Sequence, residues 1–550
     1  MRNSLELVEV DSARLEEVLR RAEQSLDEKD AALVRAVFES YAYVTELVED
    51  KNTSILRLRQ LFFGARTEKT DAVVGRKTGK PQAAVPDDAA AGIDRVASEG
   101  NNDESDAAAV PKGHGRNGAE AYQGAARIDV PHPSLTAGDA CPACGQGTVY
   151  DKAPGVLVRI TGQPPLAAKV YQLQKLRCHL CGQVFTADAP EAAGEKKYDA
   201  TAGSMIGLLK YGSGLPFNRL DGLQGDLGVP LPASTQWDIV QAVAADLAPA
   251  LDELIRQAAQ GEVLHNDDTT VKILELMGER VRQEALADAV GDVNGADRRR
   301  GLYTSGVVAL REGYRVALFF SGRRHAGENL AQVLAHRAEE LPPPIQMCDA
   351  LSRNLPGELQ TILAHCLAHA RRRFVDVYDR FPEPCRHLLE TLAVVYRNDA
   401  VARERRLSPE GRLQFHQEAS RPTMQDLHDW LTRQLEEKRT EPNSALGGAI
   451  GYMLRHWDPL TLFLRQAGAP LDNNLCERAL KKAILHLKNA LFYKTRNGAR
   501  VGDLFMSLIY TCQLNQANPF DYLTGLQRHA EALAVSPQLW MPWNYREALS

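Results

Sequence analysis

Several things are scarce or missing in this chain, and each absence narrows what it can be. No uncharged apolar run among the 550 residues approaches the roughly 18 that a membrane span needs, so no helical membrane partner or anchor is expected. The opening MRNSLELVEVDSARLEE lacks a basic region followed by an apolar stretch, which predicts a chain that stays in the cytoplasm. Cysteine is sparse, nine residues and an odd number, which argues against a disulfide framework. Gly and Pro are absent from residues 12–62, and Asp and Glu are absent from Arg478 to Arg500. The first gap permits one long helix, and the second leaves seven Lys and Arg side chains without a local counter-charge.

Hydrophobic residues at 44% and charged residues at 25% describe ordinary globular protein with several folded units. The net charge of −6 looks wrong for a partner of DNA until it is located: residues 1–50 carry 13 acidic and 6 basic side chains, so the rest of the chain is close to neutral. In residues 1–69, Val34, Val37, Tyr41, Val44, Val48, Lys51, Ile55, Leu58 and Phe62 alternate steps of three and four, a heptad seam with one polar member. It predicts either a coiled coil that makes a dimer or higher multimer, or an amphipathic helix packed on its own body. Residues 70–125, rich in Ala, Gly, Asp, Pro and Asn, bury too little apolar surface to offset ordering entropy and read as a flexible linker.

In residues 126–190, Cys141-Pro-Ala-Cys144 and Cys178-His-Leu-Cys181 form two knuckles. Each points two thiolates at one ion, and together they complete an all-sulfur tetrahedral set for structural Zn2+. A redox dithiol is the rival reading. The alternating stretch around Pro164-Pro165, between the knuckles, predicts two strands and a turn. Residues 191–260 turn helical, with breaks at Gly228 and Pro232 and with Ser234 or Thr235 available as an N-cap, so either a helix-turn-helix or a small helical bundle is expected.

Past Gly261 the period changes. EVLHNDDTTVKIL, GLYTSGVVAL, YRVALFFS and PIQMCD read as three hairpin-like strands and a fourth, the opening of a ribonuclease-H-like α/β sheet within residues 261–384. Neighbouring side chains of a strand face opposite ways, so one of Asp267 and Asp268 faces a site and the other is expected to tolerate substitution. Asp349 ends the fourth strand. Carboxylates at strand ends suit a hard cation that takes oxygen ligands and leaves positions open for phosphate. Residues 385–466 form a helical insertion whose Trp430 and Trp457 are expected in a core. Within residues 467–525, Asp472-Asn-Asn-Leu-Cys-Glu-Arg-Ala-Leu480 opens a helix, with Asn474 as N-cap and Glu477 closing a near capping box or pairing with Lys481. Glu477, Lys481, Ile484 and Lys488 share one stripe, along which a phosphate backbone could equally lie. Residues 526–550 form a C-terminal tail.

Taken in order, these motifs resemble the transposases of the insertion sequence 66 family, the large subunit often called TnpC. The resemblance runs from about Ile55 to Trp543 and is carried by Leu58-Arg-Gln-Leu-Phe-Phe-Gly-Ala-Arg-Thr-Glu-Lys69, both cysteine knuckles, Lys210-Tyr-Gly-Ser-Gly-Leu-Pro216 and Asp267-Asp-Thr-Thr-Val-Lys272. It continues through Cys366-Leu-Ala-His-Ala-Arg-Arg-Arg-Phe374, the Asp472 motif and Leu539-Trp-Met-Pro-Trp-Asn544.

The resemblance implies a multidomain α/β DDE enzyme. Its acidic triad would be Asp267, Asp349 and Glu477, holding two Mg2+ or Mn2+ ions per active site. Such an enzyme cleaves and joins strands at the terminal inverted repeats of a mobile element. It further implies bacterial, nucleoid-associated double-stranded DNA as element ends and target, self-association, and small accessory transposition proteins. The sequence departs from the family at Asp268, where Glu is usual, at Leu367, where Trp is usual, and after Asp349, where Ala-Leu-Ser replaces Gly-Tyr; Met277 to Arg300 looks like an enlarged strand connection. Cys366 and His369 resemble a C-x-x-H element of related transposases that would support Asp349; a buried Cys with a satisfied His is the plainer reading. Arg371, Arg372 and Arg373, and Lys481, Lys482, Lys488, Lys494, Arg496 and Arg500, are expected to meet DNA phosphates, with a solvated face as the alternative. Two other functions fit the same motifs: a non-catalytic zinc-ribbon DNA-binding protein with a degenerate ribonuclease-H-like domain, and a structure-specific nuclease.

Overall fold

The computed structural model describes residues 130–143, 146–151, 163–177, 179, 183–277, 301–311 and 313–549. The expected coiled coil, the linker, Cys144, Cys178, Cys181 and nearly all of the enlarged strand connection lie outside the described residues. Among the described residues, 255–271, 301–311 and 313–481 form one compact unit built on a sheet, and those of 130–254, 272–277 and 482–549 form a second, mainly helical unit.

In the helical unit, Cys141 N donates to Gly147 O at 2.7 Å beside an antiparallel Ala140–Thr148 bridge. Strands β1 (Lys175–Arg177) and β2 (Val184–Thr186) are antiparallel, with Lys175 opposite Thr186, and bracket the second pair. Strand β1 is the end of the alternating stretch expected to carry strands between the pairs; residues 163–174 carry none, Pro164 and Pro165 lacking the N–H that a ladder needs, and residues 152–162 lie outside the described residues. Helices α1 (Ala200–Gly207), α2 (Phe217–Asp226) and α3 (Ala233–Ala259) follow. Gly228 takes the turn between the last two at φ +73, a left-handed conformation that a Cβ penalises. Buried Gln236 staples this turn by donating to Phe217 O and Leu231 O. Because Gln236 N bonds Pro232 O, Pro232 starts α3, and Ser234 and Thr235 lie inside its first turn instead of capping it.

The sheet unit is ordered β5-β4-β3-β6-β7. Strands β3 (Val263–Thr270), β4 (Tyr303–Arg311) and β5 (Tyr314–Gly322) form an antiparallel meander, while β6 (Ile345–Cys348) and β7 (Ile362–His365) add in parallel to β3. Four of the five coincide with the expected segments. The fifth, ILAH, is four residues long, too short for a period of two to stand out. The interiors of β4 and β6 are buried residue after residue, as in a strand covered on both faces. The connection from β5 to β6 runs through α4 (Ala326–Leu334), the crossover from β6 to β7 carries only a 3-10 turn at Ser352–Asn354, and α5 (Leu367–Val377) follows β7.

Helices α6 (Pro382–Glu404), α7 (Pro409–Ala419), α8 (Arg421–Glu436) and α9 (Ala445–Arg455) fill the expected insertion. They do not build a separate core: Phe374 and Leu367 of α5, Met347 of β6, Leu389 of α6, Leu427 of α8 and Ile450 of α9 belong to one buried cluster, with Trp430 and Trp457 packed against it as expected. The chain then enters α10 (Asn474–Ala490). In the helical unit, α11 (Arg496–Leu514) and α12 (Pro519–Arg528) complete the framework, with α12 packed on α1. No helix among the described residues is long and apolar enough to cross a membrane.

One close approach fixes the loop that follows β6. A Cβ added at Gly327, in the first turn of α4, would lie 2.1 Å from Leu355 O and 2.7 Å from Arg353 O, both backbone atoms that cannot swing aside. Gly327→Ala is therefore expected to cost about 1–3 kcal/mol through overpacking, read as a lowered denaturant midpoint of the sheet unit's transition; an unchanged midpoint contradicts the packing described.

Candidate active site

Strand β3 outruns β6: its last parallel pair is His265 with Met347, and Asp267 and Asp268 lie beyond, level with the point where Asp349 leaves β6. In an open α/β sheet, the carboxyl ends of parallel strands are where ligands collect. On the other side Asp267 is in register with Gly306 of β4. The missing side chain there lets α10 come down on the sheet: a Cβ at Gly306 would lie 3.1 Å from Leu480 and 3.3 Å from Cys476 Sγ, and Cys476 Sγ donates to Gly306 O at 3.4 Å. Glu477 is the next residue of that helix.

The start of α10 differs from the expected capping box. Glu477 N bonds Asn473 O, so Asn473 is the first cap, and Asp472 Oδ1 accepts from Asn474 N at 3.1 Å. Asn473 does not cap with its side chain. Fully buried, it pairs with His265 Nδ1 at 3.0 Å and donates to Asn266 O at 3.1 Å, pinning the helix start to β3. Burial holds the His265 imidazole down at about 4, so at neutral pH it is an uncharged partner. Glu477 is thereby freed from capping; its Oε1 is buried, accepts no hydrogen bond, and lies 3.7 Å from His369 Nε2.

Asp267 feels the other two acids. Burial first, and then the Asp349 carboxylate, push Asp267 up to about 7, with Asp268 and Glu477 adding in the same direction. Asp349 is also raised, by burial, against the pull of His369, Arg353 and the Asn354 amide. Asn354 donates to Asp349 Oδ1, and is itself held: its carbonyl accepts from Asn266 Nδ2 at 2.8 Å and Gln346 Nε2 at 2.7 Å, while Gln346 also donates to Asn266 Oδ1 at 2.9 Å. This buried amide ladder from β3 through β6 to the loop sets where Asp349 sits. None of its members carried a sequence signal, since isolated Asn and Gln in apolar strands look like surface residues.

Asp268 requires a correction. The alternation argument correctly separates it from Asp267, but its face of the sheet is not solvent. Its side chain is 1% exposed and accepts from His325 Nδ1 at 2.9 Å and Ala326 N at 3.3 Å, with Arg353 at 3.6 Å. It thus anchors the start of α4, and the expected tolerance to substitution does not follow.

Cys366 is the N-cap of α5 and 1% exposed; its sulfur accepts from Asn473 N at 3.2 Å. With His369 and Glu477 it forms a group whose ligand atoms all lie within 4.8 Å of one another. Of the expected phosphate-binding arginines, Arg371 is only 9% exposed and so belongs to the interior, a correction that follows from its position on the core-facing side of α5. Arg372 is half-buried, and Arg373 lies exposed with its guanidinium stacked 3.8 Å from the Tyr452 ring. Lys481, Lys488, Lys494, Arg496 and Arg500 are exposed, and half-buried Lys482 lies over the Tyr510 ring. Arg496 N donates to Glu275 at 2.6 Å.

Similar proteins point the same way. The uncharacterized protein y4hP of Sinorhizobium fredii (strain NBRC 101917 / NGR234) is 28% identical over 439 residues, 74% of each chain. From the same organism, uncharacterized protein y4jD is 29% identical over 381 residues, 67% of this chain and 71% of its own, and uncharacterized protein y4qI is 25% identical over 348 residues, 62% of each. The family described as Transposase IS66 family matches residues 197–501, which span β3, β6 and α10 and so take in all three acids. This chain belongs to the IS66 family of transposases.

Proposed function

We propose that the chain binds the terminal inverted repeats of its mobile element and carries out metal-dependent strand cleavage and strand transfer, with Asp267, Asp349 and Glu477 as the catalytic acids of a ribonuclease-H-like core. The observation that carries this reading is the placement of three carboxylates at one end of the sheet: Asp267 of β3 level with Asp349 at the end of β6, and Glu477 on the first turn of α10 where it packs on Gly306 opposite Asp267. A sheet ordered β5-β4-β3-β6-β7, with one antiparallel meander and two parallel additions, supports the fold assignment.

The donor set fits the divalent cation that the family implies. Three carboxylates supply hard oxygen atoms, and Glu477 Oε1 is a buried acceptor without a hydrogen bond. Bound there, Mg2+ or Mn2+ would supply activation of the attacking oxygen and stabilisation of the leaving one. The chain's own part is to hold the acids. Asn354 orients Asp349, Asn473 and the open position at Gly306 bring Glu477 to the sheet, and Asp267 gives up its proton as the charge is compensated. The exposed cations Lys481, Lys488, Lys494, Arg496 and Arg500 would take the DNA backbone. Cys141, Cys144, Cys178 and Cys181 would hold structural Zn2+ in a ribbon, a reading supported by the Ala140–Thr148 bridge and the β1–β2 pair that flank the two cysteine pairs in the sequence. A dimer or higher multimer, joined through the N-terminal heptads, is part of the same proposal.

Duplex DNA carrying both element ends, taken from the sequence flanking the coding region, tests this directly. Asp267→Asn, Asp349→Asn and Glu477→Gln are each expected to lower Mg2+-dependent cleavage at least about a hundredfold, equivalent to about 2.7 kcal/mol, while end binding is kept. Asp268→Asn should instead lower thermal stability. Retained cleavage in all three triad variants overturns the catalytic assignment, and cutting without joining a 3′ end to target identifies a nuclease.

The raised Asp267 sets a second expectation. Its folded value near 7 exceeds the unfolded 3.8, so without metal its contribution is fully present below about 4 and is lost as pH rises through 7. Metal-free Asp267→Asn should therefore melt higher than wild type at pH 8, with the difference vanishing near pH 4, and Mn2+ should stabilise wild type more than the variant; scanning calorimetry decides. For the backbone contacts, Lys488→Ala with Lys494→Ala is expected to make the slope of log affinity against log salt shallower by about 2. An unchanged slope removes these lysines from the interface.

A further inference from the structure

The amino end of α5 and the first turn of α10 bring together a sulfur, an imidazole nitrogen and a carboxylate oxygen, a donor set unlike the all-oxygen pocket of the triad. Cys366 Sγ, His369 and Glu477 have ligand atoms mutually within 4.8 Å, and His369 Nε2 lies 3.7 Å from Glu477 Oε1. Tetrahedral coordination at metal–N and metal–O lengths of about 2.0–2.2 Å places such atoms about 3.4 Å apart. The present spacing is thus within a small side-chain adjustment of closure on one ion.

Each donor is left available by its surroundings. Cys366 is at the N-cap of α5, and the backbone N–H of Asn473 donates to its sulfur at 3.2 Å. An amide aimed at sulfur favours a thiolate, the form that a metal binds. Glu477 Oε1 is a buried atom with no hydrogen-bond partner, and His369 Nε2 faces it at 3.7 Å. The group is reached from outside through His369 and Glu477, whose side chains are 24% and 25% exposed.

We propose that Cys366, His369 and Glu477 form a binding site for a thiophilic divalent cation of the zinc class, separate in chemistry from the Mg2+ pocket but sharing Glu477 with it. Binding releases the Cys366 thiol proton to solvent and forms sulfur, nitrogen and oxygen bonds to the ion, with a fourth position left to water. Because one carboxylate serves both sites, filling this one withdraws Glu477 from Asp267 and Asp349. The site itself does not depend on the strand-transfer reading; its consequence, zinc acting against Mg2+, does.

The test uses the full-length chain with its four-cysteine ribbon already loaded with zinc, titrated with Zn2+ in competition with a chromophoric chelator. Wild type is expected to take up one equivalent more than Cys366→Ser and His369→Gln, and Glu477→Gln should bind that equivalent at least about tenfold more weakly, which corresponds to about 1.4 kcal/mol. Co2+ offered in place of the added Zn2+ should give a sulfur-to-cobalt absorption in wild type that is absent from Cys366→Ser. Equal uptake by all four proteins overturns the proposal. Should Cys366→Ser fail to fold, His369→Gln at its half-exposed position carries the comparison alone. Asp267→Asn and Asp349→Asn variants that lose cleavage while keeping the extra equivalent, or Cys366→Ser and His369→Gln variants that lose the equivalent while cleavage persists, separate this proposal from the catalytic one.

Discussion

Carboxylates repel one another, and burial strengthens the repulsion; this fold nevertheless brings Asp267, Asp349 and Glu477 to one end of its sheet. The cost is visible in Asp267, whose carboxyl is pushed up to about 7 by burial and by its neighbours. Much of the surrounding structure works to keep the three from separating. The amide ladder of Asn266, Gln346 and Asn354 ties β3 to β6 and to the loop below Asp349, and leaving such groups unpaired would cost about 1–3 kcal/mol each. Asn473 binds the start of α10 to β3, and the bare position at Gly306 lets that helix approach. Gly327 and Asp268 do the corresponding job beneath the loop, by close packing and by anchoring α4. Under the proposed chemistry a cation would relieve the repulsion that these contacts otherwise resist, coupling binding and folding at the same atoms.

The sequence makes β3, β4 and β5 legible because they are eight or nine residues long, and because a period of two assigns Asp267 and Asp268 to opposite faces. It stops being legible where burial depends on what lies across from a residue. Asp268 looked replaceable since nothing in its own strand announces that His325, Ala326 and Arg353 converge on it. Asn474 looked like the cap of α10, yet the fold starts the helix one residue earlier and spends the Asn473 side chain on β3. The three arginines of α5 share one charge in the sequence but have three environments in the structure, from buried Arg371 to Arg373 stacked on Tyr452. In each case a long-range partner, unreadable from local spacing, decides the role.

Charge follows a similar logic. A chain of net −6 carries an uninterrupted cationic run from Arg478 to Arg500, and its lysines and arginines are mostly exposed where the acids of the triad are half-buried or buried. Acids gathered inside and cations spread outside is the distribution that a polyanionic substrate requires, with the outer charges setting register and the inner ones reserved for metal. Glu477 stands between two ligand chemistries, hard oxygen on the side of Asp267 and Asp349, sulfur and nitrogen on the side of Cys366 and His369. If both proposed sites bind, which ion it meets would depend on the softness of the cation offered.

The most direct measurement of the central claim is an anomalous difference map from crystals of the protein soaked in Mn2+. The account predicts density between Asp267, Asp349 and Glu477, with oxygen atoms of all three acids in its coordination shell. Manganese bound elsewhere, or a site that leaves any one of the three acids uncoordinated, would contradict it.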